Sequence, residues 1–232
     1  DLNKASSTIT KRVSGLARVV DWAMRKNMVS FVSNPFRTLP KGYGSKVHDR
    51  NRLWDGERSR RLEGDEEEKI RNVLRGPELL LFDIALETAM RMGEIVGLQT
   101  KDIDLKQSTI FLHRTKTGAR RQVPVSSVLK RILEDEKLCE REWLFPEWWR
   151  GGDIKAKQKL SNKLSHLYQN RFRKAGVADL HFHDLRHEAT SRLYERTRLS
   201  DLKIASITGH KGFRMLQRYA NLRGSTLASE MW

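Results

Sequence analysis

One cysteine, Cys139, is all that 232 residues contain, and a lone thiol excludes both an internal disulfide and a cysteine-built zinc site. Long apolar runs are missing as well. No stretch approaches the roughly 18 unbroken apolar residues of a membrane span. The first apolar residues are scattered among Lys4, Lys11 and Arg12, which is not the pattern of a signal peptide. Neither repeats nor low-complexity tracts occur. From these absences we expect a soluble, cytoplasmic protein with no membrane partner. Acidic residues are the remaining shortage: 29 Asp and Glu face 45 Lys and Arg, a formal net charge of +16.

What is present argues for a folded chain. A hydrophobic share of 38%, with six Trp and eight Phe, supplies the core that disordered sequences lack. The length accommodates one large domain or two modest ones. A strongly basic globular chain is suited to a polyanion, most simply double-stranded DNA, whose phosphates dominate affinity. The excess is spread along the chain: residues 1–64 hold 14 basic and 6 acidic side chains. Residues 155–175 carry Lys155, Lys157, Lys159, Lys163, Arg171, Arg173 and Lys174 with no acid among them. That basic helix is our candidate for DNA contact, although charge does not separate a reader of DNA from an enzyme acting on it.

Ile9, Val13, Leu16, Val20 and Met24 recur at three- and four-residue steps and predict an amphipathic helix over about 8–26. Asn34-Pro35 ends it, and residues 37–64, poor in apolar anchors, read as a basic linker. Asp65 with Glu68 resembles a capping box, so the acidic run at 65–68 is expected to start a helix rather than bind metal. Pro77 opens a helix at 78–90 that is apolar on most faces, hence buried. β-Branched residues in 108–114 and 121–125 flank a glycine-bearing turn at 115–118, a hairpin pattern. Ser126 caps a helix running to about Lys137. Leu160, Leu164, Leu167 and Phe172 mark another helix, closed by Gly176. Short helices are expected near 184–195, 200–208 and 213–221. The fold class is mainly α with a small antiparallel β-sheet.

The chemistry gathers in a few positions. His183-Asp184-Leu185-Arg186-His187 places His183 and Arg186 on one helical face. Arg91 ends the buried 78–90 segment, where Glu94 three residues on is a ready partner. Gly209-His210 follows, and Tyr219 nine residues later. In order and spacing, Arg91, Lys116, His183-x-x-Arg186, Gly209-His210 and Tyr219 resemble the tyrosine recombinase family, the phage-integrase type of site-specific recombinases. The resemblance covers about residues 70–222.

It implies a catalytic domain over 65–232, preceded by the C-terminal remnant of a helical core-binding domain at 1–36 and the linker at 37–64. It also implies a site-specific DNA recombinase, of a bacterial or phage element, working on nucleoid DNA through a 3′-phosphotyrosyl intermediate with a free 5′-hydroxyl. Tyr219 is then the nucleophile. Attack on a phosphodiester spreads negative charge over its non-bridging oxygens, which suits the paired donors of Arg91 and Arg186. No metal and no cofactor is expected. By resemblance, His183 assists with the tyrosine proton, Lys116 protonates the leaving 5′-oxygen and His210 hydrogen-bonds the phosphate. Glu94 reads as support for Arg91, and His187 as a packing or backbone-bonding residue.

His210 and Tyr219 on one unbroken helix would be ~13 Å apart along its axis and point to opposite faces, so a break is expected at Gly212. His181 and His183 alone make a poor zinc site. Thr208 departs from the aliphatic residue that the family usually carries before Gly-His. The N-terminal helical part is short for the family and Asp1 is not an initiator Met, so a longer parent protein with a fuller DNA clamp is expected. Partners would be other protomers in a tetrameric synapse, a DNA-bending accessory protein, and a docking arm at 225–232 anchored by Leu227, Met231 and Trp232. A type IB topoisomerase-like nicking-rejoining enzyme, or a DNA-binding accessory protein without cleavage, are the alternatives.

Overall fold

The computed structural model describes residues 6–40, 43, 58, 60–113, 120–134, 138, 141–210, 212 and 215–220. The chain divides into two compact units between Arg58 and Ser59.

The first unit is built on α1, Ser6–Arg25. Asn34 closes the turn behind it: its side-chain amide donates to the Ala17 carbonyl at 2.7 Å and to Asp21 at 2.6 Å. Arg37 completes this lock with a 2.8 Å ion pair to Asp21. Burial resists ionisation of Asp21 less than the Arg37 and Asn34 hydrogen bonds favour it, and its carboxyl is held below the ordinary range.

The second unit carries the remaining elements. Helix α2 is Glu66–Val73, α3 is Pro77–Thr88 and α4 is Met92–Val96. A three-stranded antiparallel sheet follows in the order β1 (Ile103–Asp104), β2 (Thr109–Leu112), β3 (Arg121–Pro124), with Ile110 opposite Val123. Next come α5 (Ser127–Leu133), α6 (Ile154–Lys174), α7 (Phe182–Arg196), α8 (Asp201–Thr208) and α9 (Gln217–Ala220). No helix among the described residues is long and apolar enough to cross a membrane. The mainly helical class with a small antiparallel sheet is as expected.

Helix α3 is the centre of the core. Leu81, Phe82, Ile84 and Leu86 are all buried, each worth about 1.5–3 kcal/mol relative to exposure. Packing on every side explains its near-continuous apolar sequence. It ends at Ala89, which takes the left-handed conformation at φ 54° although it is not glycine. That costs about 1 kcal/mol, and it brings the helix to a stop just before Arg91. Ser126 caps α5 by accepting from the Leu129 amide at 3.1 Å, and Gly176 at φ 79° lies just beyond α6.

Several local expectations change. The Asp65 side chain makes no cap hydrogen bond and pairs with Lys69 at 2.9 Å, while Glu66 accepts from the Glu63 amide at 2.9 Å. The unit boundary falls at 58/59 rather than 64/65, because Arg60, Arg61 and Leu62 pack on the second unit. Arg60 pairs with Glu66 at 2.5 Å. Arg61 spans Glu188 and Glu195 of α7 at 2.9 Å and 2.5 Å. The Leu62 side chain joins the main core. Strand β1 was not expected; two residues are too few to show an alternating pattern. The hairpin turn at 115–118 and the segment 225–232 lie outside the described residues.

Candidate active site

Four elements of the second unit converge on a cleft of about 220 Å³ lined by Arg91, His183, Arg186, His187, His210, Met215 and Tyr219. A larger hollow of about 330 Å³, under β1, is lined mainly by leucines and isoleucine and gathers no such polar set.

Arg91 stands at the N-cap of α4, and Glu94 one turn later folds back on it. The Glu94 carboxylate accepts from the Arg91 backbone amide at 3.0 Å and from its guanidinium at 3.1 Å. The same carboxylate takes two bonds from Arg121 of β3, at 2.7 Å and 3.2 Å. Burial alone would push the Glu94 carboxyl up, but the Arg121 hydrogen bonds and charge outweigh it and the carboxyl is held below its usual range. Arg121 also donates to the Ile207 carbonyl at 3.1 Å, which ties the sheet to the end of α8. The expected support role of Glu94 thus has a concrete form. One carboxylate positions two arginines.

Arg186, on the second turn of α7, is 4% exposed. It donates to the Ala89 carbonyl at 2.5 Å and meets Nε2 of His210 at 3.2 Å. Burial, and then the like charge of Arg91, lower its pKa to about 10. It stays a cation at neutral pH, in a setting that favours an incoming anion. The Asp184 carboxylate accepts from the His181 amide at 2.8 Å at the start of α7.

His210 is oriented through both ring nitrogens. A guanidinium only donates, so Nε2 accepts from Arg186. Nδ1 lies 2.7 Å from Thr208 Oγ1, whose hydroxyl donates to the Ile204 carbonyl at 2.8 Å. Thr208, fully buried, is therefore a hydrogen-bonding partner of His210 rather than a simple packing change. His210 and Tyr219 share no helix: α8 ends at Thr208 with Gly209 left-handed at φ 72°, Gly212 is non-helical, and α9 begins only at Gln217. A Cβ at Gly209 would stand 2.8 Å from the Arg121 guanidinium. Only glycine suits both the dihedral and the approach.

Tyr219 is 4% exposed and belongs to a small cluster with Tyr194, Ile204 and Leu216. Its ring stacks on Tyr194 with centroids 5.7 Å apart. Its hydroxyl lies 2.6 Å from Nδ1 of His187. This corrects the reading of His187 as a packing residue. His183 is exposed at the cleft mouth and meets the His187 ring edge-on at 5.2 Å. Lys116 lies outside the described residues.

The basic helix α6 separates its cations by face. At about 100° per residue, Lys155, Lys159, Lys163 and Arg173 fall on one side, and these, with Lys174, are exposed. Lys157 and Arg171 fall on the inner side with Leu164 and Phe172. Lys157 lies 5.5 Å above the Trp149 ring, and burial lowers its pKa against the pull of Glu94 and Asp102. Arg171 makes two 2.8 Å bonds to Glu78. These two are structural cations, a correction to their expected place among DNA contacts. Among the described residues, no group of three His, Cys, Asp or Glu is placed to hold a metal.

Sequence reasoning missed His187, Arg121 and the role of Thr208. A signal existed for two of them. His187 and Tyr194 follow His183 by 4 and 11 residues, which puts all three on one stripe of α7. Arg121 alternates with Val123 on the inward face of β3, where an unpaired charge is not tolerated.

The cleft lies within residues 60–225, which match the phage integrase family model. The chain belongs to that family, the tyrosine recombinases, and its second unit has the fold of their catalytic domains. Among known relatives, the shufflon-specific DNA recombinase of Escherichia coli is 37% identical over 177 residues, 75% of this chain and 43% of that protein. The chain spans about half the length of the curated relatives it matches. The catalytic domain of bacteriophage HP1 integrase superimposes with a TM-score of 0.53 at 24% identity, covering 73% of this chain and 91% of that one. A lambda integrase dimer bound to a COC′ core site gives 0.65 at 19% identity, covering 94% and 75%.

Proposed function

We propose that this chain is the DNA-cleaving part of a site-specific recombinase, and that Tyr219 attacks the scissile phosphorus to give a 3′-phosphotyrosyl intermediate. The observation that carries the reading is the convergence of Arg91, Arg186, His210 and Tyr219 on one cleft. Two guanidiniums lining one cleft with a phenol make a site for a phosphate whose negative charge grows during attack. Arg91 and Arg186 bind the non-bridging oxygens, and His210, protonated at Nε2 once the phosphate draws Arg186 away, donates to one of them. The phenolic proton passes to a histidine of α7, where His183 and His187 both line the cleft. Lys116 protonates the leaving 5′-oxygen. Storing the bond energy in a covalent ester allows rejoining without a cofactor.

Double-stranded DNA is the substrate. The exposed face of α6, with Lys155, Lys159, Lys163, Arg173 and Lys174, follows its backbone. Exchange needs four strand cleavages, so we assign the active form to a tetramer on two duplexes, with 225–232 docking between neighbours and a bending protein assisting. The setting is the cytoplasm of a bacterial or phage-infected cell, on nucleoid DNA.

The test uses the full-length protein and a duplex selected from a random-sequence library by binding, then nicked so that the cleaved fragment diffuses away. A protein–DNA band that survives denaturant and is lost in Tyr219→Phe is the expected result. A band that persists in Tyr219→Phe refutes the assignment.

A further inference from the structure

Resting on Tyr219 as nucleophile, we propose that His187, and not His183, is the catalytic base that takes the tyrosine proton. The contact is direct: Tyr219 Oη lies 2.6 Å from His187 Nδ1, a short distance for a phenol donating to an imidazole nitrogen. The acceptor role places the remaining ring proton on Nε2. The two rings are held on both sides. Tyr194 stacks on Tyr219 at 5.7 Å with an interplanar angle of 18°, and His183 abuts His187 edge-on. Tyr194 is two turns beyond His187 on the same helix, so α7 forms a rail against which the tyrosine is aligned. His183 also lines the cleft but is exposed, whereas His187 is half-buried beside the phenol.

The step balances. As Tyr219 Oη bonds to phosphorus, its O–H bond breaks and the proton moves to His187 Nδ1. The bond from phosphorus to O5′ breaks with its electron pair on O5′, which takes a proton from the Lys116 ammonium. The diester keeps a single negative charge, His187 becomes imidazolium and Lys116 becomes neutral. Rejoining returns both protons. Among the described residues, the charged and titratable groups that line the cleft with His187 are His183 and Arg186 on its own helix, Arg91, His210 and Tyr219. The two arginines oppose a new cation there until the phosphate occupies the cleft, so proton transfer is coupled to DNA binding.

The experiment measures adduct formation in a single turnover by the full-length protein, on the selected nicked duplex and on the same duplex with sulfur replacing O5′. A sulfur leaving group needs no proton, so it bypasses the acid and leaves the base exposed. His187→Asn keeps an acceptor near the Nδ1 position but cannot carry the proton; His187→Gln is the second variant. We expect both to slow adduct formation about 100-fold at neutral pH, equally with oxygen and sulfur. The deficit should shrink as pH approaches about 10, where tyrosine ionises unaided. Lys116→Ala, by contrast, should be rescued by sulfur.

A His187→Asn rate within about threefold of wild type refutes the proposal, since a lost general base costs far more. So does a deficit that pH does not relieve, or one that sulfur abolishes. A pH-relieved deficit in His183→Asn with normal His187→Asn moves the role to His183. An adduct surviving in Tyr219→Phe instead overturns the nucleophile assignment on which all of this rests.

Discussion

Glu94→Gln is the most informative perturbation outside the reacting groups. Its carboxylate is 8% exposed and the Arg121 guanidinium that holds it is 9% exposed, so water screens the pair little. Glutamine keeps the shape and one acceptor oxygen but removes the charge, leaving Arg121 buried without a counter-ion and Arg91 without its guide. Breaking a buried pair on one side costs about 3–5 kcal/mol, and the retained acceptor puts this case near about 3. In a unit of this size that is a fall in Tm of about 6–12 °C.

The pH dependence provides the check. Folding lowers the Glu94 pKa below its ordinary 4.5. A depressed carboxyl contributes stability that is fully present above the unfolded pKa and is lost as pH falls through the folded one. The gap between wild type and Glu94→Gln should therefore be constant from neutral pH down to about 5.5 and close below about 4.5. Urea denaturation followed by circular dichroism at pH 7 and pH 4 reads both values. A gap under about 1 kcal/mol at pH 7 would match an exposed pair and refute the reasoning. A gap unchanged at pH 4 would show that the lost charge is not its source.

Three further outcomes follow from the same geometry. Gly209→Ala must hold alanine at φ 72° and crowd a guanidinium pinned by Glu94 and Ile207; denaturation should show a loss of about 2 kcal/mol, and a loss under about 0.5 would mean that Arg121 yields freely. Thr208→Val fills the same space without the hydroxyl that steadies His210, so adduct formation should slow about tenfold while Thr208→Ser stays near wild type; equal rates in all three would remove the orienting role. Lys159→Ala and Lys163→Ala should each lower the slope of log affinity against log salt by about 0.9, measured by fluorescence anisotropy on duplex DNA. Arg171→Ala should leave that slope intact and lower stability instead, and equal slope losses for all three would contradict the division of α6 into two faces.

The parts of this fold that could be read in the sequence are those where one periodic signal decides the outcome. Helix α3 announced itself because burial on all sides leaves an apolar run, and α6 because Leu160, Leu164, Leu167 and Phe172 keep helical spacing. The hairpin strands showed in their β-branched residues. What escaped depends on the meeting of distant segments. Arg60 and Arg61 looked like linker because their partners, Glu66, Glu188 and Glu195, are charged and offer no apolar anchor to detect. That Gly209 must be glycine is not visible either, because the requirement comes from the approach of Arg121 on β3. His187 reads as packing because the family pattern points to His183, although both occupy the same stripe of α7. Lys157 and Arg171 read as surface charge from composition alone, and only the packing of α6 places them on its buried side.

Fastening the chain at Arg61 also has a mechanical side. Arg61 grips two glutamates, Glu188 and Glu195, spaced two turns apart on α7. The first of them is the immediate neighbour of His187. A tug arriving from the N-terminal side of the chain is therefore not absorbed by slack loop. It loads the rod on which His183, Arg186 and His187 are mounted, at two points, with leverage along its axis. The polypeptide that tethers this unit is in that sense bolted to the same beam that aims its reactive groups.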